Sequence, residues 1–507
     1  MMNITATTAS FLSDNTETWG AVACATTVVV GTWIWFRSSS STPKRQRLCR
    51  NLSFTSAFMN MGTYPSQAKA PEDILHVCMY MESCPTDEDM VETAIQPMLV
   101  HDRFSMIPTR GDKTGTLRMP FPPLVPQKMM RRIQVTCTNH LHDTITELFQ
   151  QPLGGDNNPR GDLPLWEFVL LENTGPGDSA CIWRVHHTLG DGLSLAALMM
   201  RHVVKSSPDG APMSSVATFL PPTMMSQKSS SLKEHATIPW TTRLWQLLDC
   251  ALQVLLLPST PFDDPTAFSK GFCQPNNIHS GKREIVLFPT VPLKLIQSIK
   301  NTARVSVNDV IVTCLSQAIH DYCQEQNCPV LKQKGPNLQC RVLVASALPR
   351  DVENANTEEL LAVGYNNISE RLQHIHNTFR RLKKSPLAHV GIWVQNHVLK
   401  YVPLAVNRKG VYDSMIRHSL VLSNVPGPQQ PVMVANREIK SARVFYSGMN
   451  AHVMVMSYRG QVQANLTVDP QHVPNSQTLA KHYHQAILTL ARRLDVAIPA
   501  EMEKIPL

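Results

Sequence analysis

The chain has 507 residues, 43% hydrophobic and 17% charged, a balance that excludes an intrinsically disordered protein and exceeds what one ordinary core accommodates. Lys+Arg 47 against Asp+Glu 39 leaves a net charge of +8, a mild excess that suits an anionic cofactor or a lipid head-group surface; no nucleic-acid signature accompanies it. Twelve cysteines are scattered without a Cys-x-x-Cys pair, which argues for reduced thiols and against a disulfide framework.

Thr18 to Phe36 carries no charge and is flanked by Glu17 and Arg37. Its length, at ~1.5 Å per residue, covers roughly the hydrocarbon thickness of a bilayer. Trp19 stands at one end and Trp33 and Trp35 at the other, as interfacial belts require. Arg37, Lys44, Arg45, Arg47 and Arg50 follow, so the positive-inside rule puts the long C-terminal portion in the cytosol. The expectation is a membrane anchor over 1–37 and a Ser/Thr-rich tether over 38–70.

Folded sequence is expected from residue 71. Asp73 to Glu82 reads as a first strand, Met90 to Leu99 and Leu141 to Phe149 as helices, and Pro164 to Leu171 as a strand. Ser179 to Val185 is a short apolar run, then His186 and His187, then the chain-breaking Gly190-Asp191-Gly192. Two histidines thus stand where a strand gives way to a turn, with helix-compatible sequence resuming at Leu193. Strand neighbours point to opposite faces, so one histidine reaches a cleft while the other packs behind it. Imidazole is the side chain best matched to moving protons near neutral pH. A bare His-His pair is more often structural; the fixed His-His-x-x-x-Asp-Gly pattern favours chemistry. The first unit spans 71–205.

Residues 206–281 form a crossover, rich in Ser, Pro and Met over 206–237. It contains an apolar helix at 240–257, interrupted by Arg243 and Asp249, which reads as a core helix or, less readily, one lying on a membrane surface. The second unit spans 282–507. Strands are expected at 283–288, 341–348 and 419–425, helices at 293–300 and from Ser306 or Asn308, and a hairpin across Arg459-Gly460. In the second arm of that hairpin Val462, Ala464, Leu466 and Val468 alternate with Gln463, Asn465 and Thr467, as in a half-buried strand. A helix over 479–494 closes the chain. The fold class is α/β in two units, with no metal-ligand set; His140 and His142 read as surface groups at a helix start.

His186-His-x-x-x-Asp-Gly192 resembles the active-site motif of the wax ester synthase/acyl-CoA:diacylglycerol acyltransferase family. Pro164-Leu-Trp166, Val307-Asn308-Asp309-Val310 and Ser423-Asn424-Val-Pro-Gly427 match that family in the same order, and Gly364 to Ser369 matches loosely. The resemblance covers roughly residues 70–495. It implies two chloramphenicol-acetyltransferase-like units, mixed sheets flanked by helices, here with an added N-terminal transmembrane helix, and a tunnel meeting at the histidine turn. It also implies acyl-CoA as co-substrate without a resident cofactor, and diacylglycerol or a fatty alcohol as acceptor, at the endoplasmic reticulum membrane or lipid droplets. His187 is then the general base and His186 a pocket or packing residue. Asp191 holds the turn by pairing with an arginine, and Gly192, Asn308, Ser423 and Asn424 border the substrate. An acyltransferase for a sterol, isoprenoid alcohol or glycolipid, and a non-catalytic lipid-binding relative, are the alternatives.

Overall fold

The computed structural model describes residues 49–51, 73–108, 116–120, 123–153, 163–206, 240–271, 273–274, 279–347 and 354–504. The expected anchor at 18–36, nearly all of the tether and the crossover residues 207–239 lie outside them. Among the described residues no helix is long and apolar enough to cross a membrane.

The first unit comprises β1 (Ile74–Met81), β2 (Met130–Val135), α1 (Thr138–Gln150), β3 (Trp166–Asn173), β4 (Ser179–His186) and α2 (Gly192–His202). β4 is buried along its whole length, as a continuous apolar run requires of a central strand. It pairs antiparallel with β1 on one side and β3 on the other, and β2 runs parallel to β3. Arg184 breaks the apolar run and is fully buried. Its guanidinium donates to Glu167 Oε1 at 2.6 Å, to His76 Nε2 at 3.1 Å and to the carbonyls of Gln151 and Pro152. The charge therefore has both a counter-ion and hydrogen-bond acceptors, the condition for burying it.

After α3 (Trp240–Leu256), the second unit comprises β5 (Glu284–Leu287), α4 (Leu293–Ala303), α5 (Val307–Glu325), β6 (Arg341–Ala347), β7 (Asn354–Leu360), α6 (Ile368–Lys384), α7 (Leu387–His397), α8 (Leu404–Met415), β8 (Leu420–Pro426), β9 (Ser441–Tyr446), β10 (His452–Tyr458), β11 (Gln461–Val468) and α9 (Thr478–Arg493). Its sheet runs β7-β6-β8-β10-β11-β5, with the short strand Val291–Pro292 also on β11. β8 is parallel to both β6 and β10, while the remaining pairs are antiparallel, so the sheet is mixed. α5 opens with a capping box in which Ser306 and Asp309 satisfy each other's backbone N–H. That gives Asp309, part of the second family-like stretch, a structural role. The glycine that ends Ser423–Gly427 is set by packing: a Cβ there would lie 2.4 Å from the Ser457 carbonyl oxygen. A Cβ on Gly364 would lie closer still to the Gly335 oxygen.

Two expectations are corrected below, and β9, a strand not expected from the sequence, does not stay with the second sheet. It pairs with β1, giving the first sheet the order β9-β1-β4-β3-β2. Ala442 and Val444 carry it there, because they join Leu75, Met79 and Trp183 in the first unit's core. Nor is β11 half-exposed: Gln463, Asn465 and Thr467 are buried too. They lie opposite Met456, Met454 and His452 on β10, on the face turned toward the first unit, where both methionines enter its core. The polar alternation thus marks an interface between the units. Finally, α3 is not a core helix; of the side chains described on it, only Cys250 is buried, against Val390 and Val394 of α7.

Candidate active site

The ends of β4, β1 and β9 come together at one edge of the first sheet, since Ile74 is in register with His186 and Tyr446 with Leu75. The second unit brings the first residue of β10, His452, to the same place. The chain turns at His187–Leu189 in a single 3-10 turn, and the His187 N–H donates to the Asp73 carbonyl at 2.8 Å. As the strand alternation predicts, the histidines diverge. His186 is buried, its Nδ1 accepts from the Thr188 N–H at 3.2 Å, and burial, with the neighbouring His187, drives its pKa down to about 4. His187 is half-buried, and its ring makes no hydrogen bond to a described residue. It packs edge-on against Tyr446, with ring centroids 5.7 Å apart.

Behind that contact lies a polar set that no sequence motif signals. The Tyr446 hydroxyl donates to Asp73 Oδ1 at 2.8 Å across 373 residues of chain. Desolvation pushes the Asp73 carboxyl above its ordinary range, opposed by the Tyr446 hydrogen bond and the charges of His187 and Arg283. His452 stacks obliquely on Tyr446, at 4.6 Å between centroids, and burial, then His187, lowers its pKa to about 3. The His187 ring thus stands among a neutral His186, a neutral His452 and the Asp73 carboxyl.

Asp191 departs from expectation. No arginine pairs with it among the described residues. Its Oδ1 instead accepts from the Ser194 N–H at 2.8 Å, making it the N-cap of α2. Such a cap is worth ~0.5–2 kcal/mol, less than the loss from breaking a buried ion pair. A Cβ on Gly192 would meet only Val425 Cγ2, at 3.8 Å, so the end of β8 adjoins the start of α2. Next to Val425, Asn424 donates through Nδ2 to Asn308 Oδ1 at 2.6 Å, which leaves the Asn308 amide nitrogen able to donate onward. Ser423 is half-buried and makes no side-chain hydrogen bond among the described residues. The expected residues thus fall into two groups, the histidine turn and the Asn308–Asn424 pair, joined through Gly192 and Val425.

From Gly192 a narrow cavity of about 70 Å³ runs between α2 and the facing strands, past Ala196, Met199, Met454 and Met456. Five of its lining side chains are methionines, which repack at low cost. A wider depression of about 450 Å³ lies beyond Leu195, around Arg103 and Ser194, and touches neither histidine. His279, Asp469 and His472 also cluster, with ligand atoms within 4.8 Å. Yet Asp469 already accepts from Ser280, Gln471 and, at 3.2 Å, from Arg283, and this guanidinium stands where a cation's charge would be needed.

Acid should loosen this structure. His186, His452 and His279 have folded pKa values of about 4, 3 and 3 against 6.5 for an unperturbed imidazole. A lowered folded pKa means the unfolded chain takes the proton first. Stability is then complete above pH ~6.5 and declines as pH falls toward 4 and below, with Asp73, whose pKa is raised, offsetting part of the loss. Melting temperatures between pH 7 and 4 check this, and His452→Phe should flatten the slope.

Two mixed sheets, with a histidine turn at their junction, define a two-unit α/β fold. The fold is shared with the solved wax ester synthase/diacylglycerol acyltransferase from Marinobacter aquaeolei VT8, at a TM-score of 0.57 and 17% identity over 88% of this chain and all of that one. It is shared as well with a trichothecene 15-O-acetyltransferase from Fusarium sporotrichioides, at 0.55 and 11% over 90% of this chain and all of that one. The chain belongs to the wax ester synthase/diacylglycerol acyltransferase family: the family's catalytic-domain model matches residues 135–311 and its C-terminal-domain model residues 360–491. Arabidopsis thaliana wax ester synthase/diacylglycerol acyltransferase 6 is 24% identical over 374 residues, 64% of this chain and 71% of that one. A probable diacylglycerol O-acyltransferase of Mycobacterium tuberculosis is 23% identical over 363 residues, 66% and 75% of the two chains. The protein is therefore an acyltransferase.

Proposed function

We propose that the protein moves a long acyl group from acyl-CoA to the hydroxyl of diacylglycerol or a fatty alcohol, making triacylglycerol, wax ester or both. The observation that carries this reading is a half-buried His187 ring, without a hydrogen bond among the described residues, on the turn that leads to Gly192 and the apolar cavity it lines. A hydroxyl is a poor nucleophile until a base removes its proton as the new bond forms. His187 takes that proton while the acceptor oxygen bonds to the thioester carbon. The resulting oxyanion is met by a donor, for which the Asn308 amide nitrogen is the candidate. Collapse breaks the carbon–sulfur bond, and the His187 imidazolium returns the proton to the departing CoA sulfur. No covalent acyl-enzyme and no resident cofactor enter the sequence.

The cavity holds the volume of about two waters, so a long alkyl chain enters it only as the methionines shift aside. Ala196→Phe should then lower kcat/KM for long chains relative to short ones by at least about tenfold. Series of acyl-CoAs and of alcohols, each varied in length, check this and tell which substrate's chain uses the cavity. Purified protein given labelled acyl-CoA, diacylglycerol and fatty alcohol tests the reaction itself. Neutral ester is expected, and hydrolysis to free fatty acid alone would count against transfer. A sterol and an isoprenoid alcohol belong in the same panel.

The uncharged run 18–36 with its basic flank supports anchoring at the endoplasmic reticulum with residues 37–507 cytosolic, where product would pass to lipid droplets. Protease added to sealed microsomes should digest the C-terminal mass; full protection would reverse the topology.

A further inference from the structure

α3 spends little of its apolar surface on the protein. Cys250, Ala251 and Val254 pack against α7. At ~100° per residue, Leu244, Trp245, Leu248, Leu252, Leu255 and Leu256 occupy an arc of about 120° beside that stripe, and Gln246, Asp249 and Gln253 form the polar side. The outer arc is open: Trp245 is 72% exposed, Leu252 54% and Leu248 51%. Single exposed apolar residues are ordinary, but a continuous stripe on one helix is not. α7, packed on α3, and α8, packed on the turn Leu257–Ser259 that follows it, also carry open apolar side chains: Trp393 on α7 is 55% exposed, Tyr401 after it 74% and Val406 on α8 59%.

Charge identifies what covers this face. α6 ends in Arg380, Arg381 and Lys383, all exposed and none in an ion pair among the described residues. Ser385, just beyond, touches α3 directly, its Oγ 3.8 Å from Cys250 Sγ. The end of α6 that carries the basic cluster therefore stands beside α3. A second copy of the chain would supply apolar surface but also a like-charged flank. An anionic phospholipid surface supplies apolar chains and negative charge together. α3 has 17 residues with Asp249 among them, and it is too short and too polar to cross.

We propose that α3, with α7 and α8, is a membrane-docking face that lies in the head-group region of an anionic bilayer, apart from any anchoring by residues 18–36. The inference rests on this surface and holds whichever alcohol the enzyme acylates. The test uses the full chain, mixed with phosphatidylcholine vesicles with or without phosphatidylserine. Both carry a phospholipid with a photoreactive acyl chain, and attachment sites are mapped by peptide mass spectrometry. Local mapping separates this face from the anchor. Attachment is expected within 244–256 and at Trp393, and more of it with phosphatidylserine. Leu248→Glu with Leu252→Glu should abolish it there. Each basic residue near such a surface is worth about fivefold in affinity, so Arg380→Glu with Arg381→Glu should cost at least about 25-fold, on the anionic vesicles alone. Attachment confined to other segments, equal attachment in the Leu248→Glu/Leu252→Glu protein, or a dimer that buries 244–256 would each overturn the proposal. Ester formation from short, soluble substrates without vesicles should be unchanged in these variants. Its absence from the unsubstituted chain as well would count against acyl transfer and leave the docking face standing.

Discussion

His187→Ala is expected to lower turnover by ~10²–10⁴, the usual effect of losing a positioned general base, while leaving the melting temperature close to that of the parent. The two effects separate because of where the ring sits. It is half-buried, contributes no hydrogen bond among the described residues and touches Tyr446 only by its edge. Its removal therefore empties a cleft more than it opens a core. Acyl-CoA affinity should survive, since binding does not require the base. Asp191→Ala is the informative contrast. It removes the N-cap of α2, costs ~0.5–2 kcal/mol, and disturbs the histidine turn only through the helix that follows. Stopped-flow turnover and thermal melting on both variants check the assignment. An early melt for His187→Ala with full activity per folded molecule would reverse it.

Arg184→Ala is expected to destabilise the first unit by ~3–5 kcal/mol. The substitution leaves Glu167, 1% exposed, without its 2.6 Å partner, and an uncompensated buried charge is what makes such losses large. Arg131, at 3.5 Å from Glu167 Oε2, covers only part of the deficit. The strand that carries the histidines is the one that loosens, so activity should fall with stability. A second variant separates the charge from the packing. Arg184→Met with Glu167→Leu removes both charges at similar volume, and paired replacement of that kind is often neutral or stabilising. Urea denaturation should show the single variant shifted to much lower denaturant and the double variant recovering most of the loss. Equal destabilisation of both would assign Arg184 a packing role instead.

What the sequence revealed and what it hid divide along contact distance. The histidine turn was legible because strand, turn and helix are consecutive, and each is set by its own neighbours. Asp191 stands directly before a helix, where the cap rule alone assigns it; the arginine partner implied by the family resemblance is what fails. Asp73 and Tyr446 could not be paired in advance, because they meet only after β9 crosses from one sheet to the other. β11 misled for a related reason. Its alternation of apolar and polar residues describes a half-buried strand, and nothing local says that a second sheet covers the polar face. α3 misled in the opposite sense, since apolar composition does not say whether protein or lipid covers a helix.

Expression in a cell strain that makes no neutral lipid tests the central claim most directly. The unsubstituted chain should restore triacylglycerol, wax ester or both, seen as new neutral-lipid bands. His187→Ala, present at the same level, should restore little or none. Neutral lipid from neither protein would contradict acyl transfer to a hydroxyl lipid, and equal amounts from both would contradict the base assigned to it.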